Sequence, residues 1–255
     1  MPALHDSHVH LGFAVDPRAV ARNAARAGSL LFCQTVEPAE YARLASGLGD
    51  CPNVRLGAGL HPWWVQSGES AAGQLAPLLD ALEGTRFVGE VGLDFSPRHQ
   101  GTRAEQVQVL EAVLSACARR GDAVVSVHCV QAADVLCDLL ERTGAARECA
   151  VVLHWFSGTS DQLTRARRLG CWFSAGPRML ASKRGQAYAR AAGEQRLLLE
   201  TDFPAGDPAD MPAELDFAHL EAELARGQEL LDQALGRPCG EQIAQNALGL
   251  LGSVG

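Results

Sequence analysis

With 255 residues, of which 47% are hydrophobic and 20% charged, the chain can bury a sizeable core and reads as folded rather than disordered. Its formal net charge of -8 at pH 7 excludes a broad sequence-independent grip on nucleic acid, which needs basic groups against phosphates, but leaves room for a narrow cleft that holds one strand end through metal ions. No apolar run reaches the roughly 18 residues of a membrane span. No secretory leader is evident and the eight cysteines never form a CxxC pair, so reduced thiols in a cytoplasmic protein are expected.

In chain order, the first apolar stretch is ALHDSHVHL, a strand whose alternation sends His8 and His10 to one face. The helical segment DPRAVARNAARAG follows, then the strand SLLFCQTV, the helix EPAEYARLASGLG and the strand VRLGAGLH, which ends at His61. The helix AGQLAPLLDALEG leads to RFVGEVGLD, a strand carrying Glu90 between Gly89 and Gly92, glycines that let other groups come close. Next come the helix TRAEQVQVLEAVLSACARRG, the strand AVVSVHC with His128, the helix QAADVLCDLLERTG, the strand AVVLHWFSG with His154 and the helix SDQLTRARRLG. Two further strands, CWFSAG and RLLLETDF, complete the series, and Asp202 closes the second of them. Asp16, Thr102 and Ser160 are the expected helix caps, and Gly28, Gly121, Gly144 and Gly170 the expected stops. FPAGDPADMPAELD reads as a loop.

Near-continuous apolar strands alternating with helices imply a parallel sheet covered on both faces. Eight of them in about 250 residues predict an α/β fold, a single-domain TIM (β/α)8 barrel over residues 1–255, with room for distortion. A doubly wound open sheet is the alternative, but its glycine-rich turn after the first strand is missing. In a barrel of this kind, functional side chains sit at the C-terminal strand ends. His8, His10, His61, Glu90, His128, His154 and Asp202 all fall there, whereas His5, His99 and His219 read as surface or loop residues. Burying so many ionisable groups unpaired is costly, and divalent cations are what bring them together. The donors are nitrogen and carboxylate oxygen without thiolate, which suits Zn²⁺, Mn²⁺ or Fe and leaves room for Mg²⁺. Six donors fit two ions about 3.5–4 Å apart better than one. Lys183, the only lysine, lies beyond the seventh strand, so no carbamylated lysine can bridge such ions from the fourth, and Glu90 is the remaining candidate.

Six stretches, DSHVHLG, GLHPW, FVGEVGLDF, VSVH, VVLHWFSG and LLLETDFP, resemble in order the D-x-H-x-H, G-x-H-P, G-E-x-G-L-D, V-x-x-H, L-H-x-F-[ST]-G and L-x-E-T-D-x-P motifs of the TatD-like metal-dependent deoxyribonucleases of the amidohydrolase superfamily. They run from residue 6 to residue 204, about four-fifths of the chain. The resemblance implies that His8, His10, Glu90 and Asp202 hold one ion and Glu90, His128 and His154 a second, the ions being Mg²⁺, Mn²⁺ or Zn²⁺. It implies a hydrolase that cuts phosphodiesters, typically as a 3′-to-5′ exonuclease, with DNA ends as the expected nucleic-acid partner. Asp202 is then expected to take the proton of the attacking water, His61 to contact the scissile phosphate or leaving oxygen, and Asp94 and Glu200 to orient ligands. One departure is His128-Cys129-Val130-Gln131, where the family carries H-x-R-D; Arg178 or Lys183 in GPRMLASKRG are the candidates to replace the lost phosphate contact. Others are Ala205, where an aromatic is common, and the lack of an N-x-P in PADMPAELD. Trp63, followed by Trp64, is a candidate base-stacking residue, as are Phe95, Trp155 and Phe156. Two other readings stay open: a hydrolase of a small amide, lactone or phosphoester on the same metals, and a barrel subunit of a larger assembly.

Overall fold

The computed structural model describes residues 2–204 and 216–252. Among the described residues nine strands are interspersed with helices: β1 (Asp6–Val9), β2 (Leu31–Cys33), β3 (Val54–Leu56), β4 (Ala58–Leu60), β5 (Phe87–Asp94), β6 (Val124–Val130), β7 (Ala150–His154), β8 (Trp172–Ala175) and β9 (Leu197–Leu199). The expected eight become nine because VRLGAGLH divides at Gly57. Its first half pairs with β2 and its second with β5, and a glycine in mid-strand is where such a change of partner costs least. Two compact units result, one of Met1–Cys33, Arg43–Leu56 and Phe173–Gly255, the other of Gln34–Ala42 and Gly57–Trp172.

In the first unit β1, β2 and β3 are parallel neighbours, with Leu31 opposite both Asp6 and Val54. β8 pairs with β9, and the chain leaving β9 runs on beside β1: the Asp202 amide donates to the His8 carbonyl at 2.9 Å, and the His10 amide to that of Phe203 at 2.9 Å. Val9, Leu31, Cys33 and Val54 from the strands pack with Val20, Ala21 and Ala24 of the helix Pro17–Arg26 and with Phe217 and Leu220 of the helix Phe217–Leu235. Asp16 caps the first of these helices as expected, accepting from the Ala19 amide at 2.9 Å, with Pro17 preset for helix at the next position. His5 departs from its expected surface place. It is buried, its Nδ1 accepts the Leu30 amide at 3.0 Å, and burial lowers its pKa. Two long helices, Phe217–Leu235 and Gly240–Leu251, occupy the tail, where no element was read from the sequence.

In the second unit the strand order is β4-β5-β6-β7, all parallel, with Gly92 opposite His128 and Val127 opposite Leu153. Every residue of β5 is buried, as a strand covered on both faces requires. The helix Arg103–Arg120 buries Gln106, Val109, Leu110, Val113, Leu114 and Cys117, one stripe at helical spacing, and stops at Gly121, whose φ of +83° is open to glycine. Thr102 stands at the N-cap as expected, though its hydroxyl accepts from Gln106 Nε2 at 3.2 Å instead of from a helix amide. One expected cap is corrected: the helix Ser160–Arg168 is capped by Thr159 in a reciprocal pair with Gln162 rather than by Ser160. All eight cysteines are free, and among the described residues no helix is long and apolar enough to cross a membrane. Ala205 and nearly all of the expected proline-rich loop, residues 205–215, lie outside the described residues.

Candidate metal centre

In the second unit the site is built on Glu90, which is 2% exposed in mid-β5. The backbone around it is packed too closely for side chains. A Cβ on Gly92 (φ +154°) would lie 2.0 Å from the His128 carbonyl oxygen, and one on Gly89 (φ +148°) 2.3 Å from Gln34 Oε1. Within that packing one carboxylate oxygen, Glu90 Oε1, faces three imidazoles: His154 Nε2 at 2.8 Å, His128 Nδ1 at 3.0 Å and His61 Nε2 at 3.3 Å. His128 Nδ1 and His154 Nε2 are 3.5 Å apart. The His61 tautomer follows from its other nitrogen, Nδ1, which accepts the Trp63 amide at 3.2 Å and so leaves the proton on Nε2, facing Glu90.

Asp94 stands behind His128. Its Oδ2 is 3.3 Å from His128 Nε2 and accepts the Trp63 indole N–H at 2.6 Å, while Oδ1 accepts the Ser96 amide at 2.9 Å. Burial works to raise the Asp94 pKa, but the hydrogen bonds from His128, Ser96 and Trp63 prevail and hold the carboxyl well below the usual range. For His128, burial opposes the charge, and the carboxylates of Asp94 and Glu90 outweigh it and raise the pKa. A carboxylate on the far nitrogen is the arrangement that fixes the ring of a metal-ligating histidine. Trp63 is half-buried in the 3-10 turn Pro62–Trp64, with its ring lying parallel to that of His99.

The first unit holds a second set. His8 Nε2 and His10 Nε2 are 3.3 Å apart, and both face Asp202 Oδ1, at 3.5 and 3.7 Å. Asp202 occupies the left-handed region at φ +52°. The buried Asp6 carboxylate ties the strand of the histidines to the segment of the acid: Oδ1 accepts the amides of His8 and Thr201, both at 3.1 Å, and Oδ2 the Thr201 hydroxyl at 2.6 Å. Burial pushes the Asp6 pKa up to about 7 against those hydrogen bonds. Glu200, 1% exposed, accepts the Ser174 hydroxyl and so links β9 to β8. Arg178, in the turn of helix Pro177–Leu180, and Lys183, which begins the helix Lys183–Ala192, are exposed.

The donor sets fit a divalent cation. Two ligands each about 2.0–2.1 Å from an ion stand about 3.3 Å apart at the tetrahedral angle and about 2.9 Å apart at a right angle. The ligand triangle of the first unit has edges of 3.3, 3.5 and 3.7 Å, and that of Glu90, His128 and His154 has edges of 2.8, 3.0 and 3.5 Å. Two imidazole nitrogens turned to each other at 3.3 Å share at most one proton, whereas a cation satisfies both. Three residues of this framework had no role assigned from the sequence: Asp6, Thr201 and Gln106, whose Oε1 accepts the Asp94 amide at 2.8 Å. Gln106 could have been found as the one polar residue in the apolar stripe of its helix, and Asp6 as a charged residue inside an otherwise buried strand.

Histidine–carboxylate clusters carried on parallel strands supply the nitrogen and oxygen donors that divalent cations take. The model of the TatD related DNase family matches residues 5–237, across both units, and the chain belongs to that family. It is 37% identical over 124 residues to the human deoxyribonuclease TATDN3, covering 48% of this chain and 44% of that protein. With the 3′-5′ ssDNA/RNA exonuclease TatD of Edwardsiella piscicida it shares 36% identity over 158 residues, 60% of this chain and 59% of that one. The chain thus spans about half the length of these curated relatives. The crystal structure of YjjV, a TatD homologue from Escherichia coli K12, matches with a TM-score of 0.75 at 23% identity, covering 99% of both chains. The fold is therefore the α/β barrel of TatD homologues, and the family together with the clusters points to divalent-metal binding.

Proposed function

We propose that the chain is a metal-dependent phosphodiesterase that trims DNA from its ends in the 3′-to-5′ direction, working in the cytoplasm as one catalytic domain over residues 1–255. The observation that carries this reading is the convergence of three imidazoles on a single buried carboxylate oxygen, Glu90 Oε1, in a chain of the TatD family. His8, His10 and Asp202 are assigned to one divalent ion and Glu90, His128 and His154 to another, with Mn²⁺, Mg²⁺ and Zn²⁺ the ions to test. Bound there, the cations would lower the pKa of a water and neutralise charge on the phosphate. Asp202 would take the proton of an attacking water, Asp94 holds the His128 ring in place, and His61, whose Nε2 proton faces Glu90 here, would turn it to the scissile phosphate or leaving oxygen. Glu200 steadies the strand that leads to Asp202. Arg178, Lys183 and Trp63 are assigned to the rest of the substrate.

Purified protein with Mn²⁺ is expected to shorten an end-labelled single strand, and Asp202→Asn to lower the rate at least 100-fold. Failure of the wild type to cut such strands with any of the three metals would sink the reading. Turnover of nitrophenyl esters or lactones in place of DNA would put a small-molecule hydrolase there instead.

A further inference from the structure

Between β5 and the helix Arg103–Arg120 the chain carries Phe95, Arg98 and His99. The His99 ring lies on Trp63, with ring centroids 4.9 Å apart and planes 8° from parallel, and Trp63 is within 21° of Trp64 at 6.1 Å. All three residues are half-buried. Edge-on packing is available to aromatic rings in the same place, since His61 meets Trp63 and Trp64 at 83° and 81°. A polar bond fixes the Trp63 plane instead: its indole N–H donates to Asp94, which also faces His128 Nε2 at 3.3 Å. The backbone under His99 is held as well, its carbonyl accepting from Gln106 Nε2 at 2.9 Å. The stacked pair is therefore preorganised and stands one carboxylate away from a histidine assigned to metal. At the first position of the helix, the exposed Arg103 places its guanidinium 4.1 Å over the Phe95 ring. Flat aromatic faces beside cations are what proteins use to hold single strands without reading sequence.

We infer that Trp63, His99 and Arg103 form a subsite for single-stranded nucleic acid, in which a base stacks on the His99–Trp63 pair while Arg103 takes a neighbouring phosphate. The inference rests on the phosphodiesterase reading and adds two residues, His99 and Arg103, to it. It also supplies a cation from the loop after β5, in a chain where Gln131 ends the run that carries an arginine in the family motif.

The test is equilibrium binding in EDTA at fixed salt, followed by anisotropy of a labelled oligothymidylate and of an abasic strand of equal length. His99→Ala is expected to weaken thymidylate binding by roughly 5- to 100-fold, His99→Phe to restore most of it, and Arg103→Ala to weaken both strands alike. Wild type should prefer the strand with bases, and His99→Ala should lose that preference. Equal affinity of wild type and His99→Ala for thymidylate, equal affinity of wild type for the two strands, or no binding at all overturns the subsite. No cleavage is needed for this measurement, so a strand that binds as expected but is never cut with metal refutes the nuclease reading and leaves the subsite standing.

Discussion

His5 and His128 show two different settings for a buried imidazole, told apart by the hydrogen bonds at their ring nitrogens. His5 accepts a backbone amide, that of Leu30, on Nδ1 and must stay neutral to do so. Burial lowers its pKa, so below its unfolded value of about 6.5 the unfolded chain takes up a proton that the folded chain refuses. The stability it contributes is whole above pH 6.5 and is lost as pH falls toward its folded value. Urea unfolding of EDTA-treated protein should show wild type losing more stability between pH 7 and pH 5 than His5→Asn, whose amide oxygen can accept the same N–H; parallel curves would contradict this. His128 is the other kind, with a carboxylate at each nitrogen. Removing the outer carboxylate by Asp94→Ala should weaken Mn²⁺ binding, read by calorimetric titration, by roughly 10- to 100-fold. The sequence marked His128 through its place toward a strand end and Asp94 through the family resemblance. It gave His5 a surface position because a histidine that accepts one amide from a distant loop leaves no local pattern.

At the scale of elements, the strands were legible because a near-continuous apolar run bounded by turn residues suits a strand buried on both faces and little else, and the helices because buried positions such as Val109, Leu110, Val113, Leu114 and Cys117 recur at helical spacing. The break at Gly57 was not, since it depends on which neighbour each half of VRLGAGLH finds. The helices of the tail were missed because their apolar positions are diluted by polar and small residues: Phe217–Leu235 buries Phe217, Leu220, Leu224, Gly227, Leu231 and Ala234 among nineteen residues. The glycines beside Glu90 are points of close approach, as their sequence pattern indicates, and their cost can be measured. Gly92→Ala puts a methyl 2.0 Å from backbone oxygen at a φ of +154°, and nothing flexible can yield there. It should destabilise the protein by about 3 kcal/mol or more, or prevent soluble folding. Gly101→Ala, with nothing within 4 Å of the added carbon, should lie within about 0.5 kcal/mol of wild type by the same denaturant melts.

For the whole molecule, the central claim is that two histidine–carboxylate sets, one on β1 and the segment after β9 and one on β5, β6 and β7, exist to hold divalent cations. Nearly all of these residues could be named from their positions at strand ends. Asp6 and Gln106 left a sequence signal, as a charged and a polar residue among buried apolar ones, but the bonds that they and Thr201 make could not be read, because they join segments as far apart as 195 residues. The most direct measurement is metal content by mass spectrometry of protein purified without chelators and dialysed against Mn²⁺, for wild type, His8→Ala and His128→Ala. About two ions per chain are expected in wild type and the loss of one in each variant, with both variants still folded by circular dichroism. A wild type that retains no ion, or variants that retain as much as wild type, would contradict the claim.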